Sequence, residues 1–341
     1  PILVDGTKGT IELGVPVAEA EAMVTADFAR REAIRTWRGP AQTADGVPVD
    51  VLANVQDGTG AARAAETSEA GGVGLFRTEL CFLSSQTEPS VNEQARIYGE
   101  VFAAFPGKKV VVRTLDAGSD KPVPFANHAS EENPALGVRG IRLWQTNEGL
   151  IERQLDAVAQ AGEDNSVERP WVMAPMVATI DEARRFAALC HERDLKPGIM
   201  VEIPAVALLA DEFLAEVEFF SIGTNDLTQY TMAADRMSSP LATLTDPWQP
   251  AVLRLIKLAA DAGKRAGKPV GVCGEAAAGP LLACILLGLG VTSLSMASSA
   301  IAAVGVQLGS VTLQQCQDAA EQVLACPTAA EAKELARQLL G

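Results

Sequence analysis

Residues 199–222, IMVEIPAVALLADEFLAEVEFFSI, contain the pattern that decides the fold. A short apolar run, IMVEI, is followed by an amphipathic helical stretch and then by a second short run, EFFSI. Short apolar runs that alternate with helical stretches indicate βα units and a parallel sheet. The same alternation extends over most of the chain from residue 46 onward.

Eight candidate strands can be counted along the chain, and nearly all of them precede a helical pattern. They are residues 49–55, 73–77, 109–115, 171–176, 199–203, 218–222, 269–273 and 293–297. Eight parallel strands that alternate with helices fit a closed (β/α)8 barrel better than an open sheet. We therefore predict an α/β fold of the TIM-barrel class.

The N-terminal part of the chain has a different pattern. Residues 1–15 show extended segments around the turn DGTKG, and residues 16–38 have helical periodicity with many Ala and Glu residues. A break that contains Gly and Pro follows the helix. We expect residues 1–45 to form the remnant of another domain plus a linker helix, and residues 46–341 to form the barrel.

The composition excludes several classes of protein. The 341 residues include 43 Asp and Glu against 28 Lys and Arg, which gives a net charge of −15 and argues against nucleic-acid binding through phosphate contacts. Only two histidines occur, His128 and His191, so a metal site must depend mainly on carboxylates, and zinc hydrolases of the HExxH kind are excluded.

The cysteines and the apolar stretches predict a cytoplasmic protein without membrane insertion. The six cysteines form no CxxC pair, which favours a reducing compartment, and no signal peptide is visible. Residues 276–317 carry no charge, but Gly279, Pro280, Gly288 and Gly290 interrupt them. We interpret this segment as buried barrel wall rather than a membrane span.

Polar residues follow several of the predicted strands, at the end of the barrel where such enzymes place their chemistry. They are Arg77, Arg113, Glu202, Asn225, Asp226 and Cys273, with Thr78, Glu79, Asp116 and Glu275 beside them. Arginine forks suit a phosphate or a carboxylate, and two carboxylates suit Mg²⁺. A cysteine there could transfer a proton to or from carbon, or it could be an inert, buried thiol. The set predicts phosphoryl or enolate chemistry on an anionic substrate.

Six stretches of the chain match a known family in order and spacing. They are VGLFRTELCF (73–82), VVVRTLDAGSDKP (110–122), EENPALGVRGIR (131–142), MVEIPA (200–205), SIGTNDLTQYTMAADR (221–236) and VGVCGEAA (270–277). Together they resemble the phosphoenolpyruvate-utilising enzymes. The nearest resemblance is to enzyme I of the bacterial phosphoenolpyruvate:sugar phosphotransferase system, in its C-terminal phosphoenolpyruvate-binding and dimerisation domain. The opening ILVDGTKGTIEL (2–13) looks like the last strands of that family's phosphohistidine domain.

The resemblance implies a role for each matching residue. It implies that Arg77 and Arg113 grip the phosphoryl group of phosphoenolpyruvate (PEP), while Glu202 and Asp226 bind Mg²⁺. It further implies that three residues complete the substrate cradle, namely Asn225, Arg236 and Lys121. Cys273 would deliver a proton to the methylene carbon as pyruvate forms.

The partners implied by the resemblance are a second copy of the chain and a histidine-containing phosphocarrier protein. In the family, a histidine within a Gly-Gly-x-Thr-Ser-His type motif accepts the phosphoryl group, and this sequence contains no such motif. Of the two histidines, His191 is expected to be a surface or packing residue, and His128 lies in a different sequence context. We therefore expect the chain to bind PEP without completing the transfer on itself.

Two alternatives remain open from the sequence. The chain could be the C-terminal domain of a pyruvate phosphate dikinase or a PEP synthase, which shares the barrel and most of these residues. It could also be a regulatory or dimerising module with a vestigial site. The amino-acid sequences of residues 131–142 and 228–236 favour enzyme I over the dikinase or synthase. The complete set of polar site residues argues against a vestigial site.

Overall fold

The chain divides into two units, Pro1–Arg38 and Gly39–Gly341. The computed structural model describes residues 2–5, 10–83, 86–117, 123, 125 and 131–341. Two of the residues named from the sequence, Lys121 and His128, lie outside the described residues.

The first unit contains a two-stranded antiparallel ribbon and one helix. Strand β1 (Ile2–Asp5) pairs with β2 (Thr10–Leu13), and helix α1 (Val17–Thr36) follows. No residue of α1 is buried, which agrees with a sequence that lacks an apolar stripe. Its Ala and Glu content and its Arg31–Asp27 ion pair of 2.6 Å favour the helix locally. The origin predicted for residues 1–45, a remnant of a phosphohistidine domain, stays a prediction.

The second unit is a closed barrel of eight parallel strands, as predicted. The strands are β3 (Asp50–Val55), β4 (Gly72–Arg77), β5 (Lys109–Arg113), β6 (Trp171–Ala174), β7 (Lys196–Val201), β8 (Phe219–Ile222), β9 (Val270–Val272) and β10 (Ser293–Met296). Each strand pairs with the next in sequence, and β10 pairs with β3 to close the ring. All eight predicted strands are present within a few residues of their expected ends.

Helices surround the barrel and connect its strands. They are α2 (Gly58–Thr67), α3 (Glu79–Leu83), α4 (Val91–Ala104), α5 (Leu150–Asp164), α6 (Ile180–His191), α7 (Pro204–Leu208), α8 (Ala210–Glu216), α9 (Thr224–Met232), α10 (Pro250–Ala266), α11 (Pro280–Gly288), α12 (Ile301–Gly309), α13 (Leu313–Leu324) and α14 (Ala329–Leu340). Several begin at side-chain caps, for example Ser90 before α4 and Thr179 before α6, because these side chains satisfy free N–H groups of the first turn.

Large side chains fill the interior of the barrel, so it has no open channel. Leu75, Val111, Met173 and Phe219 form part of one buried cluster. The Phe219 ring fits here because residue 198 is glycine. A Cβ atom at Gly198 would lie 2.3 Å from the Phe219 ring. In barrels packed in this way, enzymes place their active sites at the carboxyl ends of the strands.

The uncharged segment 276–317 forms part of the barrel wall. Helix α11 buries Leu282, Cys284 and Ile285, and β10 is buried along its whole length. No helix in the described part of the chain is long and apolar enough to cross a bilayer.

Candidate active site

A cavity of about 430 Å³ opens at the carboxyl ends of the barrel strands. Six of the predicted site residues line it: Arg77, Arg113, Asn225, Asp226, Arg236 and Cys273. The predicted metal ligand Glu202 is completely buried. It packs against Gly223, which lines the cavity. The predicted site residues that the structure describes therefore lie together, in or beside this cavity.

Arg77 is the last residue of β4, and its side chain is half-buried in the cavity. Its guanidinium forms no hydrogen bond or ion pair with any residue that the structure describes. A guanidinium that is partly withdrawn from water and lacks an internal counter-ion is well suited to an anionic ligand.

Arg113 ends β5 and is almost completely buried. It forms an ion pair with Glu79 and a second with Asp116, at 3.1 Å. Burial disfavours the charged form, but these two carboxylates more than offset it and raise the pKa of Arg113. Among the described residues its Nε atom has no hydrogen-bond partner. One donor of this buried arginine is therefore unsatisfied within the described residues.

A buried hydrogen-bond network supports the end of β5. The amide of Gln154, on α5, accepts from Leu115 N at 2.8 Å and donates to Thr78 Oγ1 at 3.1 Å and to the Tyr98 hydroxyl at 3.0 Å. Thr78 Oγ1 in turn donates to the carbonyl oxygen of Arg113 at 2.9 Å. These bonds fix the backbone from which Arg113 projects.

Arg139 is a site residue that the positions of the strand ends do not predict. It lies in the long connection after β5 and is 4% exposed. It makes three contacts of 3.0–3.2 Å with the Asp116 carboxylate and one of 3.1 Å with Asp226 Oδ1. The one signal in the sequence is its position within the stretch EENPALGVRGIR, which matches the family but gives no individual role to this arginine.

Asp226 and Glu202 form the carboxylate pair predicted to bind Mg²⁺. Asp226 also accepts from Arg236 Nη1 at 3.4 Å. Glu202 Oε1 accepts from the Met176 backbone N–H at 2.5 Å, while Oε2 has no hydrogen-bond partner in the described part of the chain. Burial, together with the charges of Asp226 and Asp116, raises the pKa of Glu202 to about 8.

These features fit a divalent cation. Oε2 of Glu202 is a buried carboxylate oxygen without a donor among the described residues, and a cation close to it would favour the ionised form of Glu202. No group of three or more His, Cys, Asp or Glu side chains is arranged for a metal ion in the ranges that the structure describes. Two protein carboxylates match the usual manner of Mg²⁺ binding, in which substrate oxygens and waters supply the other ligands.

Cys273 follows β9 directly and is 2% exposed. Its thiol points toward the carbonyl oxygen of Ile222, with an Sγ–O distance of 3.6 Å, and burial raises its pKa. The side chain is therefore a protonated thiol at neutral pH, as a proton donor must be. It also packs with Leu75 and Met200, so its geometry agrees with a purely structural role as well.

Asn225 connects two loops at the edge of the cavity. Its Oδ1 atom accepts from the backbone N–H of Glu275 at 3.1 Å. Close approach of the same loops requires Gly274, because a Cβ atom there would lie 2.0 Å from Thr224 Oγ1. The predicted cradle residue Asn225 thus helps to place the segment that contains Cys273.

Residues 30–313 match the family described as PEP-utilising enzyme, PEP-binding domain. The chain belongs to the PEP-utilising enzymes. The resemblance inferred from the sequence motifs is confirmed. Because this family match spans both the β4–β5 arginines and the Glu202–Asp226 pair, the cavity lies within the PEP-binding domain of this family.

Two of three curated relatives of this PEP-utilising enzyme have the same name. A phosphoenolpyruvate-protein phosphotransferase from Streptomyces coelicolor is 48% identical over 99% of this chain and 61% of its own length. The protein of the same name from Geobacillus stearothermophilus is 40% identical over 97% of this chain and 59% of its own. A multiphosphoryl transfer protein from Rhodobacter capsulatus is 40% identical over 98% of this chain and 41% of its own length. The chain thus spans about three fifths or less of these relatives.

Proposed function

We propose that this chain binds PEP with Mg²⁺ and transfers the phosphoryl group to a protein histidine, releasing pyruvate. The observation that carries the proposal is a single cavity lined by both Arg77 and Asp226, with the buried Glu202 packed against Gly223 of the same cavity wall. An anion and a cation can be bound side by side there, which phosphoryl transfer from PEP requires. The names of the relatives support this reaction in particular.

The arginines provide the binding site for the phosphoryl group. Arg77 and the Nε atom of Arg113 supply donors that no described residue uses. Arg236 and Asn225 line the same cavity, and we propose that they bind the remaining oxygens of PEP, with Lys121 as the further residue implied by the family. Hydrogen-bond donors that are already oriented toward the phosphoryl group need little reorganisation when charge develops on that group in the transition state.

Glu202 and Asp226 would hold the Mg²⁺ ion. When bound, Mg²⁺ neutralises charge on the phosphoryl and enolate oxygens. The protein contributes two carboxylates that are fixed by the Met176 backbone N–H and by the Arg236 guanidinium.

Cys273 is the proposed proton donor to carbon. As the bond between phosphorus and the enol oxygen breaks, the phosphoryl group passes to a histidine nitrogen and the enolate of pyruvate remains. The Cys273 thiol proton is then transferred to the methylene carbon, forming the methyl group and leaving a thiolate that takes up a proton from solvent. The thiol form that burial favours supplies this proton.

The acceptor histidine is proposed to come from outside the barrel. His191 ends α6, just before the chain enters β7, and therefore lies at the amino-terminal end of the strands, opposite the cavity. It is about half exposed and pairs with Glu218 at 3.4 Å. We propose that a phosphohistidine domain accepts the group and passes it to a phosphocarrier protein, and that the barrel acts as a cytoplasmic homodimer.

Calorimetric titration of the chain with PEP, with and without Mg²⁺, tests the proposal. We expect binding that Mg²⁺ strengthens and that Asp226→Asn makes independent of Mg²⁺, while Asp211→Asn, an exposed control on α8, behaves as the wild type. A chain that binds no PEP under either condition would favour the vestigial module. The dikinase or synthase alternative is tested by phosphotransfer to a histidine-containing carrier after a phosphohistidine domain has been added, since only a phosphotransferase supports this transfer.

A further inference from the structure

Acidic and basic side chains alternate around the cavity, and each is ion-paired with the next. In order they are Glu79, Arg113, Asp116, Arg139, Asp226 and Arg236. Three guanidiniums and three carboxylates alternate in this chain of pairs, and Glu202 adds a further carboxylate that interacts electrostatically with Arg113 and Arg139. A divalent cation that binds at Asp226 must therefore compete with cations that are already present.

Arg139 holds its two carboxylates unequally. Three of its contacts, at 3.0–3.2 Å, go to Asp116, and a single contact of 3.1 Å goes to Asp226. A guanidinium that binds one carboxylate through two nitrogens has its charge compensated there. The contact with Asp226 can therefore be lost without leaving the buried Arg139 unpaired.

Asp226, which Arg139 contacts, has Glu202 as its partner in the proposed metal site, and the hydrogen bonds of Glu202 are incomplete. Glu202 Oε2 is buried without a donor among the described residues, and it lies 3.0 Å from where a Cβ atom of Gly223 would be. Gly223 itself lines the cavity. Asp226 thus has a guanidinium on each oxygen, Arg139 on Oδ1 and Arg236 on Oδ2. Its partner carboxylate Glu202 has one oxygen without a hydrogen-bond donor among the described residues.

We propose that Arg139 is an internal counter-cation of Asp226. Its guanidinium pairs with the Asp226 carboxylate in the ligand-free protein, and this ion pair breaks when a divalent cation binds. The inference rests on the proposed metal role of Glu202 and Asp226. Arg139 stays anchored on Asp116 during the exchange. The competition weakens metal binding to the ligand-free protein.

Binding of Mn²⁺ to the ligand-free chain, followed by the paramagnetic resonance signal of free Mn²⁺, tests this exchange. Arg139→Gln removes the competing charge and should bind Mn²⁺ about 10–100-fold more tightly than the wild type, the range expected for losing one charge-assisted hydrogen bond. Arg153→Gln is the matched control, because it removes the same charge from an exposed pair with Glu88. It should bind Mn²⁺ as the wild type does.

Folding of each variant is checked by circular dichroism and thermal unfolding. Unchanged or weaker Mn²⁺ binding by folded Arg139→Gln would overturn the inference. If that variant does not fold, Arg139→Lys takes its place, because a lysine keeps the charge but cannot reproduce the fork that spans two carboxylates. It should also bind Mn²⁺ more tightly than the wild type, and equal or weaker binding overturns the inference in the same way.

Asp226→Asn separates this inference from the proposed function. If Asp226→Asn leaves Mn²⁺ binding unchanged, the proposed metal site is wrong, and the role of Arg139 is wrong with it. If Asp226→Asn abolishes binding but Arg139→Gln equals the wild type, the metal site stands and only the counter-cation is rejected.

Discussion

At the scale of single residues, internal pairing divides the arginines of the cavity into two classes. Arg77 has no ion pair within the described residues, whereas Arg113 is buried between Glu79 and Asp116. An unpaired cation affects ligand binding only, but a buried, paired cation also affects folding. The two residues, both predicted to grip the phosphoryl group, should therefore respond differently to the same substitution.

Arg77→Gln should weaken PEP binding about 10–100-fold, because it removes charge-assisted hydrogen bonds, and should leave stability unchanged. Arg113→Gln should weaken PEP binding and also lower the free energy of unfolding by about 3–5 kcal/mol, since it breaks the buried ion pairs with Glu79 and Asp116. Calorimetry and denaturant unfolding measure the two effects. Equal loss of stability in both variants would contradict this division.

Cys273→Ala should separate substrate binding from proton transfer. PEP affinity should remain within a few fold of the wild type, because the phosphoryl ligands are untouched. Exchange of the pyruvate methyl protons with solvent, measured with the acceptor domain present, should slow about 10²–10⁴-fold. Cys190→Ala, which removes another buried thiol, is the control and should exchange normally. Normal exchange in Cys273→Ala would leave that residue a packing role and make Glu275 the next candidate.

Glu202 should make stability depend on pH in the absence of metal. Its pKa is raised to about 8 in the folded protein, whereas an unfolded chain has a value of about 4.3. Between these values the folded state holds a proton that the unfolded state has lost, so the free energy of unfolding falls as pH rises. Denaturant unfolding at a series of pH values from about 5 to about 8 measures this decline.

Glu202→Gln should reduce the decline, because the amide does not titrate. Glu212→Gln, at an exposed position on α8, should retain it. An identical pH dependence in the wild type and Glu202→Gln would show that this carboxyl group does not carry the effect.

At the scale of elements, the end of β5 depends on a helix that lies outside the barrel. Gln154 of α5 satisfies the backbone N–H of Leu115 and the hydroxyl groups of Thr78 and Tyr98. Tyr98 in turn donates to Gln94 on α4. Each donor in this network meets an acceptor, so all of its hydrogen bonds can form at the same time. The Gln154 amide therefore links helices α4 and α5 to the end of β5.

Gln154→Met should lower the free energy of unfolding by about 1–3 kcal/mol, because it leaves buried polar groups without partners. Gln160→Met on the same helix removes only an exposed bond to Asn92 and should have little effect. Denaturant unfolding compares the two variants. Equal stability would show that the network contributes nothing beyond packing.

At the scale of the whole molecule, we propose that the barrel provides the PEP site and that the acceptor histidine lies outside the barrel. The structure describes one of the two histidines, and it lies at the end of the barrel opposite the cavity. The chain also spans only part of the length of its relatives. Binding of PEP and completion of the transfer are therefore separable properties.

Incubation with labelled PEP and Mg²⁺ should leave no stoichiometric phosphohistidine on this chain. Addition of a separately produced phosphohistidine domain should restore transfer, because it supplies the missing nucleophile. Acid-labile phosphate, measured by gel autoradiography before and after that addition, distinguishes the two states. Stable label on His128 or His191 of the isolated chain would contradict this division of labour.

The sequence alone was enough to predict the barrel and the meeting of several polar residues at its carboxyl end. Strand and helix periodicity is a local property, and the carboxyl ends of parallel strands must meet at one end of a barrel. Strand periodicity therefore predicts that Arg77, Arg113, Asp226 and Cys273 meet, and they line one cavity.

Only the tertiary structure decided which of these charges are already compensated. Arg139 lies 87 positions before Asp226 and follows no strand, so no local pattern relates the two. The ion pairs of Arg113, the orphaned oxygen of Glu202 and the absence of a described partner for Arg77 likewise depend on long-range packing. The physical reason is that residue types determine which charges a chain carries, whereas burial and distance determine which of them neutralise one another.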